Sequence, residues 1–437
     1  MKGIEVVGRE TIKQSGILGA WFGPRFYISI ADPVLAELIL KTCLEKDELT
    51  KFTQDAIGHG SIYAPVKIWR RRRKMLASNF SKKILNSFVS SFARQSQVMA
   101  DCLKPGDVPA WRHLSACTQD IVCETILGID LKAQRNPHNP FSEGLTEGCQ
   151  LIATRVCTPW LHSNLVYRNL PSFKRLKVLV EYLYTFIEDV ISDKRKRIRE
   201  LKDGNDDRNR TRSVLELMLV TSEGEGYTDL ELQEETLTFM IAGNDTSASG
   251  AGFTLLMLAR HQDVQLKVYD ELKEVFGDST RSLTAEDLPR LQYLDLVLKE
   301  SLRLYPPAPV VLRKVEEDVK LPSGIVLPAG SGVLVNIWAL HRNPEYWGAD
   351  AEQFRPERFL TPLTHPAQFM PFSYGPRNCL GNHFAMLAMK TLLSTLLRTF
   401  RVLPPFCAGA DHVPLRLTFD IMMKDVDNYM LTLEYRK

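Results

Sequence analysis

Cys379 stands in the run Phe372-Ser-Tyr-Gly-Pro-Arg-Asn-Cys379-Leu-Gly381, a loop that leads straight into an apolar-periodic segment starting near Asn382. This places the thiol just before a helix N-terminus, where unpaired N–H groups and the positive end of the helix dipole favour a thiolate. A thiolate is a soft ligand suited to iron. Gly375 permits a tight turn with positive φ, and Gly381 removes a side chain where a flat cofactor must approach. Phe372 can screen the sulfur from water and so tune a metal–thiolate bond. Arg377 has a charge and fork suited to a carboxylate on such a cofactor. The other cysteines lie in no comparable context and read as small buried hydrophobes.

Other groupings could carry or support chemistry. In Ala242-Gly-Asn-Asp-Thr246, Gly243 is a poor helix former and Asn244, Asp245 and Thr246 are weak ones. Such a cluster inside a helical pattern marks a distortion, with Asp and Thr competing for backbone bonds. Ala242 and Thr246 share a helix face, and Glu300 lies close enough to Arg303 to pair. On spacing alone that pair is an ordinary surface contact of little energy. In Trp69-Arg-Arg-Arg-Arg73-Lys74 an indole N–H and a guanidinium point the same way, both donors suited to a carboxylate. The same run also fits a solvated basic face or a nucleic-acid patch.

These residues need elements to hold them. Residues 16–31 read as a β-hairpin around Gly23-Pro24. Asp32-Pro33 opens a helix through Leu44. Helical patterns follow at about 67–77, 82–103, 111–128, 172–201, 229–260, 263–276, 288–305 and 382–400. Residues 201–212 read as a loop, and 306–375 is rich in Pro and Gly with short strand-like pieces. The expected fold is mainly α with a smaller β part, in one domain spanning 1–437.

Composition bounds the function. The chain has 437 residues, 44% of them hydrophobic, enough for a large core. Lys plus Arg less Asp plus Glu is 55 − 52 = +3, which gives no reason to expect nucleic acid as a partner. The eight cysteines form no CxxC pair, and we expect a reducing intracellular compartment. The longest apolar run, Gly250 to Ala259, is about half the ~18 residues of a membrane span.

The loop 372–381 resembles the haem-binding signature of cytochrome P450 monooxygenases, and further matches follow in that family's order. The resemblance implies a single P450 fold with haem between the long central helix and the cysteine loop. It implies Cys379 as the iron ligand and Phe372, Gly375, Arg377 and Gly381 around it. Trp69, Arg73 and Arg313 would hold the haem propionates, and Arg70, Arg71, Arg72 and Lys74 would stay partly exposed as a docking patch for an electron donor. Ala242 and Gly243 would lie against the haem, with Thr246 donating to dioxygen and Asp245 relaying protons. Glu300, Arg303 and Arg358 would form a buried structural cluster, and His341 would be a structural hydrogen-bonder.

Residues 378–390 resemble the branch related to fatty-acid ω-hydroxylases, which includes many insect members. Several members of that branch carry Glu before the Gly of the helix motif, where it can bind haem as an ester. Ala242 stands there, so non-covalent haem b is expected. The implied reaction inserts oxygen from O2 into a lipophilic guest such as a fatty acid, a terpenoid or hormone, or a foreign compound. Electrons would come from NADPH through cytochrome P450 reductase, with cytochrome b5 as a further donor, to a monomeric enzyme. The eukaryotic family's membrane helix and Pro-rich hinge are not in the sequence. With them the protein would sit on the endoplasmic reticulum membrane, facing the cytosol. Two other readings stand beside this one: a haem-thiolate isomerase or dehydratase needing no reductase, and a non-catalytic haem-binding remnant. The intact Asp245-Thr246 pair argues against the first. Loops at 52–66, 129–172 and 405–425 would line the guest pocket.

Overall fold

A computed structural model of the chain describes residues 1–136, 138–203, 211–221, 226–405 and 414–436. About 60% of it is helix and 11% strand, so the mainly α expectation holds. The expected loop at 201–212 falls largely outside the described residues, as does part of 405–425.

The central helix runs Asp229–Arg260. Thr228 starts it with a capping box, its hydroxyl accepting from the Glu231 N–H while Glu231 accepts from the Thr228 N–H. From Ser247 to Ala259 every residue is buried, so this half is core on all faces. The helix Ala110–Val122 packs along it, continues as a π turn Cys123–Leu127, and ends at left-handed Gly128. The helix Asn382–Thr399, which follows the cysteine loop, meets the central helix at Gly250, where a β-carbon would lie 2.7 Å from the Met389 sulfur.

The expected 82–103 helix is two, Lys82–Ser87 and Val89–Cys102, meeting at the buried Phe88. The charged start of the chain forms a helix, Lys2–Lys13, which the sequence reading passed over. It is tied down by the Asn336 amide donating to the Ile4 carbonyl at 3.1 Å. The stretch 129–172, expected as loop, contains the helix Pro140–Cys157. Asn139 caps it and Pro140 takes the first turn, a start signal present in the sequence.

The hairpin is Ile17–Phe22 antiparallel to Arg25–Ile30, as expected. It extends into a four-stranded sheet: Arg25–Ile30 lies parallel to Gly332–Asn336, which is antiparallel to Val310–Lys314. This sheet carries Arg313. A second sheet orders Gly106–Pro109, Met430–Tyr435 and Phe400–Leu403. A hairpin of Leu417–Asp420 and Met422–Asp425 turns at Ile421, whose φ is 61°.

Behind the cysteine loop sits a buried ionic cluster. Glu300 accepts from Arg303 Nε at 2.7 Å and from Arg358 Nε at 2.8 Å, and all three side chains are buried. Arg303 also donates to the carbonyls of His341 and Ala351. These extra bonds make the burial of three charges tolerable. The structural role expected of this cluster is the one its geometry supports.

Candidate active site

The cysteine loop is held by its own backbone. The Cys379 N–H donates to the Phe372 carbonyl at 2.9 Å and the Asn378 N–H to the Gly375 carbonyl at 3.1 Å. Gly375 has a φ of +73°, and a β-carbon there would stand 2.6 Å from the Leu40 carbonyl oxygen. Conformation and close approach both require glycine. The loop is joined to the ionic cluster through His341. Its Nε2 accepts the Met370 N–H at 2.9 Å, which leaves Nδ1 to donate to the Arg303 carbonyl at 3.1 Å. Burial, then the nearby Arg303 guanidinium, pushes the His341 pKa down to about 3. His341 is the structural hydrogen-bonder expected.

Cys379 is exposed although protein surrounds it closely. Ala242, Gly243, Thr246, Phe372, Leu380 and Gly381 are likewise only partly covered, between elements that are otherwise core. The thiol therefore faces an interior space between the central helix and the cysteine loop. At Gly381 a β-carbon would meet nothing within 4 Å except the Cys379 sulfur at 3.9 Å, which leaves that side open. Burial pushes the thiol pKa up, opposed by the Gly381 N–H and by Arg73. A bound metal would displace the proton.

Cations converge near this space. Among the described residues, the fully buried Arg313 gives one hydrogen bond, Nη1 to the Leu312 carbonyl at 2.9 Å, while Nε and Nη2 have no partner. Arg377 donates to the carbonyls of Leu44, Ser61 and Ala64, lies 4.8 Å over the Trp69 ring, and leaves Nε without a partner among the described residues. Lys46, which no motif flagged, has its ammonium 5.6 Å from the Tyr63 ring centre. Burial, then Arg313 and Arg377, lowers its pKa. Buried donors without acceptors are costly, and cations crowded together add to that cost. Carboxylates on a bound group would satisfy both, so the residues fit haem.

The basic helix Val66–Ala77 reaches this site at two of its residues. Trp69 is buried beneath Arg377. Arg73 reaches the cysteine loop itself, donating to the Asn378 carbonyl at 3.1 Å and side-chain oxygen at 2.7 Å. Arg72, expected to stay partly exposed, is buried with 3% exposure and pairs with Glu234 and Glu235 at 2.7 and 3.0 Å. Arg71 pairs with Glu231. Arg70 and Lys74 remain as the exposed cations of this run without a protein partner among the described residues.

On the opposite wall, the Thr246 hydroxyl donates to the Ala242 carbonyl at 2.6 Å. Asp245 pairs with Lys424 at 2.7 Å, a residue the sequence reading did not single out. Asn244 accepts from the Thr118 hydroxyl at 2.7 Å. Gly243 also stands where two helices meet. A β-carbon there would lie 2.9 Å from Val122, so it serves the approach of two helices.

A thiol at an interior slot, facing a small-residue helix wall and flanked by unmatched buried cations, defines a haem-thiolate protein. The family model for cytochrome P450 matches residues 12–426, and the chain belongs to that family. Its relatives lie in the branch expected from residues 378–390. It is 34% identical to cytochrome P450 4V2 of Mus musculus over 90% of this chain and 78% of the relative. It is 33% identical to the 4V2 protein of Homo sapiens, over 90% and 78%. It is 32% identical to cytochrome P450 4d8 of Drosophila melanogaster over 91% of each. The protein is a cytochrome P450 monooxygenase that uses haem iron, O2, redox partners and a lipophilic substrate. No described helix is long and apolar enough to cross a membrane.

Proposed function

We propose that this P450 hydroxylates a lipophilic guest, with a fatty acid, a terpenoid or hormone, or a foreign compound as its substrate class. Electrons come from NADPH through cytochrome P450 reductase, with cytochrome b5 as a second donor, at the cytosolic face of the endoplasmic reticulum. Haem b bound through Cys379 supplies oxygen activation and C–H insertion. Cys379 surrenders its proton and holds the metal by its sulfur, while Phe372 limits water near it. Arg313, Arg377 and Lys46 neutralise the carboxylates, with Trp69 beneath Arg377. Gly375 keeps the loop turned and Gly381 keeps it thin. Ala242 leaves room for a flat group, and its methyl offers no carboxylate for an ester link. Asp245 carries protons inward and Thr246 hands them on at its hydroxyl.

The observations that carry this reading are the accessible Cys379 thiol and the buried Arg313, whose Nε and Nη2 have no acceptor among the described residues. The test is the Cys379→Ala protein, reconstituted with haem, reductase and NADPH and offered the three guest classes. Turnover should disappear while the fold persists by circular dichroism. Full turnover without the sulfur would defeat the assignment.

A further inference from the structure

We infer that the cavity between the π turn Cys123–Leu127 and the end of the long helix Pro171–Asp203 is a second ligand site, and that it takes a small phosphorylated molecule.

The cavity holds about 590 Å³, within the range of small-molecule sites. None of its lining residues belongs to the haem site described above. Its walls come from the helix Val89–Cys102, the π turn and the loop after it, the end of Pro171–Asp203, and the start of the helix Val214–Thr221. A π turn is rare and frequently marks a functional site. Here two of its residues, Glu124 and Thr125, face the cavity.

Every acid in the walls is already answered by the protein. Asp120 accepts from the N–H groups of Ala133 and Gln134 at 2.7 and 3.1 Å. Glu124 is paired with Arg94 and accepts from the Gln95 amide at 2.9 Å. Glu216 accepts from Lys194 at 3.3 Å and from the Ser213 N–H at 2.9 Å. Asp130 lies 3.7 Å from Lys132.

The cations are not all answered. Arg135 and Arg197 line the cavity, and neither guanidinium has an acceptor among the described residues. Lys194 is only 6% exposed. Its Nζ donates to the Gly128 carbonyl at 2.7 Å and to Glu216. An ammonium has three N–H groups, and the third has no acceptor among the described residues. The approach of this lysine is built into the fold. Gly128 has a φ of +71°, and a β-carbon there would stand 2.6 Å from Lys194 Nζ.

Three cations with donors to spare, around one cavity, call for an anion. A guanidinium fork matches two oxygens of a phosphate, and an ammonium adds a point contact. A phosphate monoester carries about −1.5 to −2 charges near neutral pH, a match for the two unanswered arginines. Val98 and Ile129 give its organic body an apolar surface. Charged residues on every wall leave a long acyl chain no continuous apolar surface, which separates this site from one for a lipid.

The test titrates 1-naphthyl phosphate into the haem-loaded enzyme by calorimetry, with inorganic phosphate, 1-naphthol and 1-naphthoate alongside. Saturable binding of 1-naphthyl phosphate is expected, tighter than that of the other three, with the haem optical spectrum unchanged. Arg135 and Arg197 are exposed, so Arg135→Gln and Arg197→Gln should keep the parent circular dichroism. Each should weaken binding by about tenfold, the loss of one charge-assisted contact. Lys196→Gln, exposed on the same helix and outside the cavity, should bind like the parent. Absence of saturable binding would overturn the inference. So would an equal loss in Lys196→Gln, which would mean general attraction to a basic surface. Binding that moves the haem spectrum and ignores both arginine variants would put the probe at the haem and defeat the second site. Equal affinity for 1-naphthoate would overturn the assignment to phosphate.

Discussion

Arg73 and Asn378 are joined by two hydrogen bonds, so the basic helix grips the residue immediately before Cys379. The arginine aligns the ligand loop as well as contributing charge. Replacing it frees Asn378, and the loop loses its hydrogen-bonded anchor from that helix. In Arg73→Met the carbon monoxide complex of the reduced protein should shift from the thiolate optical form toward the thiol form. Titration of that spectrum over time at constant temperature measures the effect, and an unchanged ratio would refute it.

Ala242 offers no carboxyl group to the bound cofactor. Acid–solvent extraction should therefore strip the pigment from the polypeptide. Haem that stays with the denatured chain on mass analysis would contradict a non-covalent link.

The unmatched donors of Arg313 and the added charge of Lys46 predict a graded loss of haem affinity. Arg313→Met removes the fully buried cation and should weaken haem retention most, and Lys46→Met should weaken it by roughly tenfold, about 1.4 kcal/mol. Transfer of haem to apomyoglobin measures both. Equal rates for parent and variants would show that neither cation meets a carboxylate.

His341 predicts an acid limb in stability. Its folded pKa is held down to about 3, whereas the unfolded chain titrates near the ordinary value of about 6.5. The unfolded state therefore binds the proton first as pH falls. The contribution is fully present above about 6.5 and is lost progressively toward 3. Urea midpoints measured from pH 7 to 4 should fall less steeply in His341→Gln than in the parent. Parallel curves would refute the assignment.

Breaking the buried cluster should cost far more than a surface pair. Arg303→Met leaves Glu300 with only Arg358 and the Arg355 N–H among the described residues and takes a donor from the carbonyls of His341 and Ala351. A loss of about 3–5 kcal/mol is expected, with little haem-loaded protein recovered. A variant that expresses and unfolds like the parent would sink this reading.

Helices with strong periodicity and clear ends, such as Asp229–Arg260 and Asn382–Thr399, were legible in the sequence. So was the cysteine loop, because turn residues, thiol and helix start are contiguous. Pro140–Cys157 was missed although Asn139 and Pro140 announce it, since Gly, Thr and Cys weaken its periodicity. Lys46, Lys424 and the Arg72 pairings were not legible at all. Each gains its meaning from a partner distant in sequence, and a lone lysine or arginine carries no local trace of what tertiary contact will bring to it.

The glycine at 243 also has a practical meaning for anyone redesigning the enzyme. Enlarging that side chain would strike Val122 on the adjoining helix rather than project into the room available to a guest. Efforts to reshape selectivity from this stretch belong at Ala242 and Thr246. Diversity introduced at 243 would be spent on prying two helices apart.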